Sequence, residues 1–182
     1  MEEKINNNLT LTKLYTMKKL FILIFAVTFT ACNAPVEEIG AGFFTAQPGE
    51  KYVIGSDEVT DVWVNYIDAH NNRDYEAIMS LNSDSISVTA PDGTKIMGKQ
   101  AHNNFLKGWF QASEPKWEIY WAMPYKAVTK DESWVIAGHW VDLVENGEEV
   151  RKAQMIDARI VDGLVDLFYV YQLDVPSESS AE

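Results

Sequence analysis

The sequence predicts an α+β fold: three N-terminal helices packed on a strongly curved, mainly antiparallel sheet, together a cone-shaped α+β barrel. Three observations carry this. Helical periodicity is confined to the first half of the domain, and the second half consists of four long strand-like runs parted by tight-turn signals. Strands of that length twist strongly, so a sheet built from them curls around the helices that cover it.

Each element follows from local pattern. Ser56, Asp57 and Glu58 open a helix on which Val59, Val62, Trp63, Tyr66, Ile67 and His70 fall at helical spacing, and Asn71-Asn72 ends it. Asp74 caps a second, short helix, DYEAIMSL, with Tyr75, Ile78 and Met79 on its buried side. The alternating, β-branched stretch Ser85 to Ala90 reads as a strand and Pro91-Asp92-Gly93 as a turn. A third helix over Lys99 to Ala112 carries Phe105, Leu106, Trp109 and Phe110 on one side. Then come strands at Trp117 to Val128, Ser133 to Glu145, Val150 to Val161 and Leu164 to Val175. Lys130-Asp131, Asn146-Gly147 and Asp162-Gly163 separate them, the last two being hairpin signals. Residues 56–175 form this domain, and the polar tail 176–182 is expected to be disordered.

What precedes the domain sets its location. Met17 to Cys32 has a basic start at Lys18 and Lys19, an apolar run of 12 residues from Leu20 to Ala31, and small side chains before a cysteine. That run is shorter than the roughly 18 apolar residues a spanning helix needs. Residues 1–31 therefore read as a signal peptide, with Met17 as its natural start. The segment resembles a bacterial lipoprotein signal, which implies that Cys32 is acylated, becomes the new N-terminus and anchors the protein in the cell envelope, facing the periplasm or in the outer membrane. Residues 32–55 mix Pro, Gly and acids without period and read as the tether between lipid and domain.

Composition narrows the partners. Beyond residue 31 the chain has 11 Lys+Arg against 25 Asp+Glu, a net charge of −14, so nucleic acid and anionic lipid surfaces are not expected partners. One cysteine allows no internal disulfide. Stability must rest on the core, for which 47% hydrophobic and 12% aromatic residues are ample.

The run VNYIDAHNNRDYEAIMSLNSDSISVTAPDGTKIMGKQAHNNFLKGWF resembles the SnoaL-like members of the nuclear transport factor 2 superfamily, over about Asp57 to Val175. The resemblance implies the cone fold and a ligand pocket inside it. Set against ketosteroid isomerase of that superfamily, the oxyanion-hole tyrosine corresponds to Tyr66. The general-base aspartate corresponds to Ala90, and the neutral aspartic acid to Gln154. Without the two carboxyl groups, proton abstraction by that apparatus is not expected. Set against the scytalone dehydratase type, His139 and Tyr66 would act as acid and base.

The residues support a pocket reading and a duller one side by side. His139 alternates with Val135, Ala137, Val141 and Leu143 on the concave face, yet a lone histidine among apolar neighbours is ordinarily structural. Tyr66 lies on a buried stripe, where tyrosine commonly packs its ring and satisfies its hydroxyl locally. His70 at a helix end complements the dipole, and His102 falls on the polar side of its helix, so both read as structural or solvated. The expected cavity collects Tyr66, Trp109, His139, Val141, Gln154, Phe168 and Gln172, with His139 and Tyr66 as the candidate catalytic pair. Asp157 falls on the convex side. No metal or cofactor is expected. The favoured function is binding of a small apolar or aromatic molecule with one or two oxygen functions. The alternative is an isomerase, dehydratase, cyclase or hydrolase. Trp134, Gly138, Trp140, Ala153 and Met155 on the convex face predict a homodimer through that surface.

Overall fold

The computed structural model describes residues 39–176. The signal segment, Cys32 and the tail beyond residue 176 lie outside the described residues. In chain order the elements are β1 (Tyr52–Ile54), α1 (Asp57–Asn71), α2 (Tyr75–Leu81), β2 (Asn82–Thr89), β3 (Lys95–Met97), α3 (Lys99–Ser113), β4 (Lys116–Ala127), β5 (Ser133–Glu145), β6 (Glu148–Val161) and β7 (Leu164–Asp174). The strands form one curled sheet in the order β1-β4-β5-β6-β7-β2-β3, antiparallel throughout except where β2 runs parallel to β7. Helices before a meander is the predicted order, and three helices against one curled, mainly antiparallel sheet give the predicted α+β cone.

Local chemistry explains the boundaries. The Ser56 hydroxyl accepts from Glu58 N at 3.3 Å to open α1, and the Asp74 carboxylate accepts from Ala77 N at 2.9 Å to open α2. Both hairpins β5–β6 and β6–β7 turn through two residues of positive φ, Asn146 (54°) with Gly147 (83°) and Asp162 (52°) with Gly163 (75°). Such a turn matches the right-handed twist of the strands it joins. The β5–β6 register places His139 opposite Gln154, and β6–β7 places Gln154 opposite Gln172, as alternation predicts.

One boundary is corrected. The segment expected to be a tether through residue 55 already belongs to the domain. Its β1 pairs with β4, and Ala41 bridges Tyr52. Glu50 is buried, its carboxylate accepting from Thr129 N at 3.1 Å and from Thr129 Oγ1 at 2.5 Å. A buried carboxylate with three such partners, Lys51 N included, fixes the entry of the chain onto the sheet. The short strand β3 was likewise unmarked in the sequence, because three residues after a turn carry too little period to register.

The concave face of the sheet and the helices enclose the core, in which Trp63, Ile78, Ile86, Val135, Ala137, Ala158 and Val165 are almost wholly buried. The convex face keeps much of its aromatic surface, with Tyr120, Trp121, Met155 and Tyr171 exposed and Trp134, Trp140 and Ala153 half-buried. Gly138 is required there: a Cβ would collide with the Trp121 indole and come within 2.7 Å of the Tyr120 ring. Asp157 is on this side too, accepting from Tyr125 Oη at 2.6 Å.

Candidate functional site

A cavity of about 350 Å³ opens at one end of the cone. Helix α1 delivers Trp63, Tyr66, Ile67 and His70 to it, positions i, i+3, i+4 and i+7 of one stripe. Helix α3 adds His102, Leu106 and Trp109, and the sheet adds Trp117, Leu143, Gln154, Ile156, Phe168 and Gln172. The turn between β2 and β3 supplies Ala90 and Asp92. The wall is mostly hydrocarbon and aromatic, with a few polar tips, the usual make-up of a small-molecule site.

Those tips are held by specific bonds. Nδ1 of His70 lies 2.7 Å from the Tyr66 carbonyl one turn back on its own helix. Nδ1 of His102 lies 3.1 Å from Asn82 Nδ2 and 3.5 Å from the Tyr66 hydroxyl. Burial lowers the pKa of His70 to about 3 and that of His102 to about 4, because a charged imidazolium would lose its water there. Burial also raises the Tyr66 phenol well above its ordinary value, against a hydrogen bond from Asn82 that lowers it. On the opposite wall Trp117 Nε1 donates to Gln154 Oε1 at 3.3 Å, and Gln154 Nε2 donates to Gln172 Oε1 at 2.9 Å. Asn71, at the end of α1, exchanges two bonds with the Trp117 backbone at 2.8 and 2.9 Å and so ties helix to sheet beside the cavity.

Carboxylates in the lining are already engaged. Asp92, on its exposed turn, accepts from Thr94 N at 2.9 Å and Thr94 Oγ1 at 3.0 Å, which holds its pKa below the usual value. Glu145 accepts from Lys152 Nζ at 2.7 Å. Ala90, the position where the isomerase comparison requires a base, brings only a methyl group.

Of the expected pocket residues, Tyr66, Trp109, Gln154, Phe168 and Gln172 do line one cavity. His139 and Val141 do not. Both are fully buried on the concave face, as alternation predicts, but farther along the cone. The indole of Trp63 stands over His139, ring centroids 5.9 Å apart, and donates from Nε1 to His139 Nε2 at 3.0 Å. His139 Nδ1 is sealed from solvent and has no partner among the described residues, and burial lowers the ring's pKa to about 4. The expected acid/base pairing of His139 with Tyr66 is therefore corrected: a tryptophan fills the space through which His139 would reach a ligand. Tyr66 lines the cavity, but its hydroxyl is turned to His102 and Asn82.

His102 and His70 are the polar residues that sequence reasoning set aside. Neither is solvated: they are 2% and 4% exposed. His102 shares a stripe with Leu106 and Phe110, i+4 and i+8, a signal masked by Phe105 and Trp109 on an adjacent stripe. His70 stood in plain view on the buried stripe of α1. Among the described residues no group of His, Cys, Asp and Glu is arranged to hold a metal, and no helix is long and apolar enough to cross a membrane.

No known family profile matches the sequence, and no curated protein does. Solved structures do match the fold. An LEH-like epoxide hydrolase of M. tuberculosis aligns at 14% identity and TM-score 0.56, over 65% of this chain and 84% of that one. Bal32a, from a soil-derived mobile gene cassette, aligns at 14% identity and TM-score 0.56, over 65% and 91%. A Kribbella flavida protein provisionally named a ketosteroid isomerase aligns at 16% identity and TM-score 0.53, over 71% and 91%. At these identities the likeness is one of fold.

Proposed function

We propose that the domain binds a neutral, largely apolar small molecule bearing an oxygen function. The observation that carries this is the make-up of the wall: Trp63, Ile67, Leu106, Trp109, Trp117 and Phe168 dominate it, burial disfavours charge on Tyr66, His70 and His102, and the carboxylates of Asp92 and Glu145 are already bonded to Thr94 and Lys152. An anionic ligand would lose its hydration with no lysine or arginine in the lining to replace it, and a cationic one would have to compete with Thr94 and Lys152 for the two carboxylates. A neutral ring system gains roughly 25 cal/mol for each Å² of hydrocarbon removed from water. Fluorescence titration with the neutral probe N-phenyl-1-naphthylamine tests the reading. Saturable binding that is lost in Leu106→Trp, which fills the cavity, is the expected result; unchanged binding in that variant would place the probe elsewhere and defeat it.

An isomerase, dehydratase, cyclase or hydrolase activity is the second reading. Two of the similar folds carry the names of an epoxide hydrolase and a ketosteroid isomerase, and two histidines reach the cavity. Against it, rings held neutral down to about pH 3 to 4 are weak proton acceptors at pH 7.

Location and assembly complete the proposal. The apolar run ending at Cys32 supports a lipid-anchored envelope protein, and Cys32→Ser should release the chain from the membrane fraction. The exposed convex aromatics support a homodimer through that face, which sedimentation of the form starting after Cys32 would detect.

A further inference from the structure

We propose that His70 and His102 act as a matched hydrogen-bonding pair that recognises a hydroxyl group on the ligand, His102 donating to its oxygen and His70 accepting its proton. This rests on the cavity being a binding site for a neutral molecule and names the group that orients it.

The assignment follows from what each Nδ1 faces. A backbone carbonyl can only accept, so His70 Nδ1, 2.7 Å from the Tyr66 oxygen, carries the ring proton. In a neutral imidazole that leaves Nε2 as a bare lone pair. With the Asn82 amide turned so that its Nδ2 lies 3.1 Å from His102 Nδ1, the NH₂ can only donate, which assigns Nδ1 as the acceptor. The His102 proton therefore sits on Nε2. The two rings hold opposite tautomers, each set from behind by a protein group, as second-layer hydrogen bonds do elsewhere for histidine.

Among the described residues the hydrogen bonds of both rings are made through Nδ1 and none through Nε2, and both rings line the cavity with centroids 6.1 Å apart. They differ in this from His139 Nδ1, Asn82 Oδ1 and Asn103 Oδ1, which are sealed from solvent without partners among the described residues. Around the pair the wall is aromatic: Trp117 lies edge-on to His70 at 5.8 Å, and Phe168 lies edge-on to His102 at 6.0 Å. The two neighbouring rings thus offer one donor and one acceptor in an otherwise apolar wall, and a hydroxyl group carries the complement of both. A ketone or ether oxygen would satisfy only His102, and an N–H donor only His70. The ligand class is thus an alcohol or phenol on a ring-shaped hydrocarbon.

Three neutral probes separate the terms: naphthalene, 2-methoxynaphthalene and 2-naphthol, titrated into the full chain at pH 7. One good hydrogen bond corresponds to about ten-fold in affinity, so 2-naphthol should bind about ten-fold tighter than 2-methoxynaphthalene, itself tighter than naphthalene. His70→Phe should bring 2-naphthol to the level of the ether. His102→Phe should bring the ether to the level of naphthalene. Histidine ¹⁵N shifts of the unsubstituted protein give a readout independent of any variant's folding: His70 protonated on Nδ1 and His102 on Nε2. Equal affinity for all three probes, or the same tautomer on both rings, overturns the pair and leaves the apolar binding site standing. Binding of none of them overturns the site and the pair together.

Discussion

Two ends of the cone hold histidines under nearly the same conditions, His139 on the concave face of the sheet and His70 and His102 on the helices that cover it, and only the second end opens to a cavity. Along β5 the side chains of Val135, Ala137, His139, Val141 and Leu143 all point inward and are buried, yet Leu143 alone among them reaches the cavity. His139, His70 and His102 all have pKa values lowered by burial. What differs is the side chain opposite. Trp63 stands over His139 and bonds to it, whereas at the other end the helices stand back and leave about 350 Å³ open. Strand alternation decides which face a residue is on; depth along the cone is decided by the bulk that the covering helix puts against it.

Removing that bulk is the most drastic way to break the contrast. Trp63→Ala deletes a ring that is 1% exposed and strips His139 Nε2 of its donor. Large-to-small changes of this kind cost about 3–5 kcal/mol. Urea unfolding should show a loss in that range, and any folded remainder should admit larger probes to the His139 end. A loss under about 1 kcal/mol would mean that the sealed end is already open, and the comparison would fail.

Acid tests both ends together. The unfolded chain takes protons onto its histidines near pH 6.5, while the folded chain keeps His139 and His102 neutral to about 4 and His70 to about 3. Between those limits the unfolded state binds more protons, so stability is full above pH 6.5 and falls as pH drops toward 4. Each ring contributes up to about 1.4 kcal/mol per pH unit. Urea midpoints followed from pH 7 to 4.5 should fall steeply, and His139→Leu should make the slope shallower by about a third. A flat profile would show that these rings are charged or hydrated in the folded protein.

The difference between the ends also explains what could be read from the sequence. Long strands, hairpin dipeptides and the α1 stripe are strong periodic signals, and they specified the cone, its register and five of the seven expected pocket residues. His139 was misplaced because a period of two has no depth coordinate. The burial of His102 is hidden because α3 presents two overlapping apolar stripes, and Phe105, on the same side as Leu106 and Phe110 by spacing, is 43% exposed. The entry at Glu50 was missed because its anchors, Thr129 and the β4 edge, are nearly 80 residues away in sequence and leave no local pattern.

The smallest expected effect lies where the cavity wall meets solvent. Gln172 is half-buried and accepts from Gln154 Nε2, which in turn leaves Gln154 Oε1 to Trp117. Gln172→Leu removes one acceptor from that chain. At the sealed end such a loss would strand a donor, as His139 Nδ1 is already stranded, at a cost of about 1–3 kcal/mol. Beside an open cavity, water replaces the lost oxygen and the net loss should stay near 0.5 kcal/mol, within the spread of ordinary surface changes. Thermal unfolding of this variant beside the parent is sufficient to measure it. A loss above about 2 kcal/mol would show that the glutamine wall is as dry as the core around His139, and the boundary between the two ends would have to be redrawn toward β7.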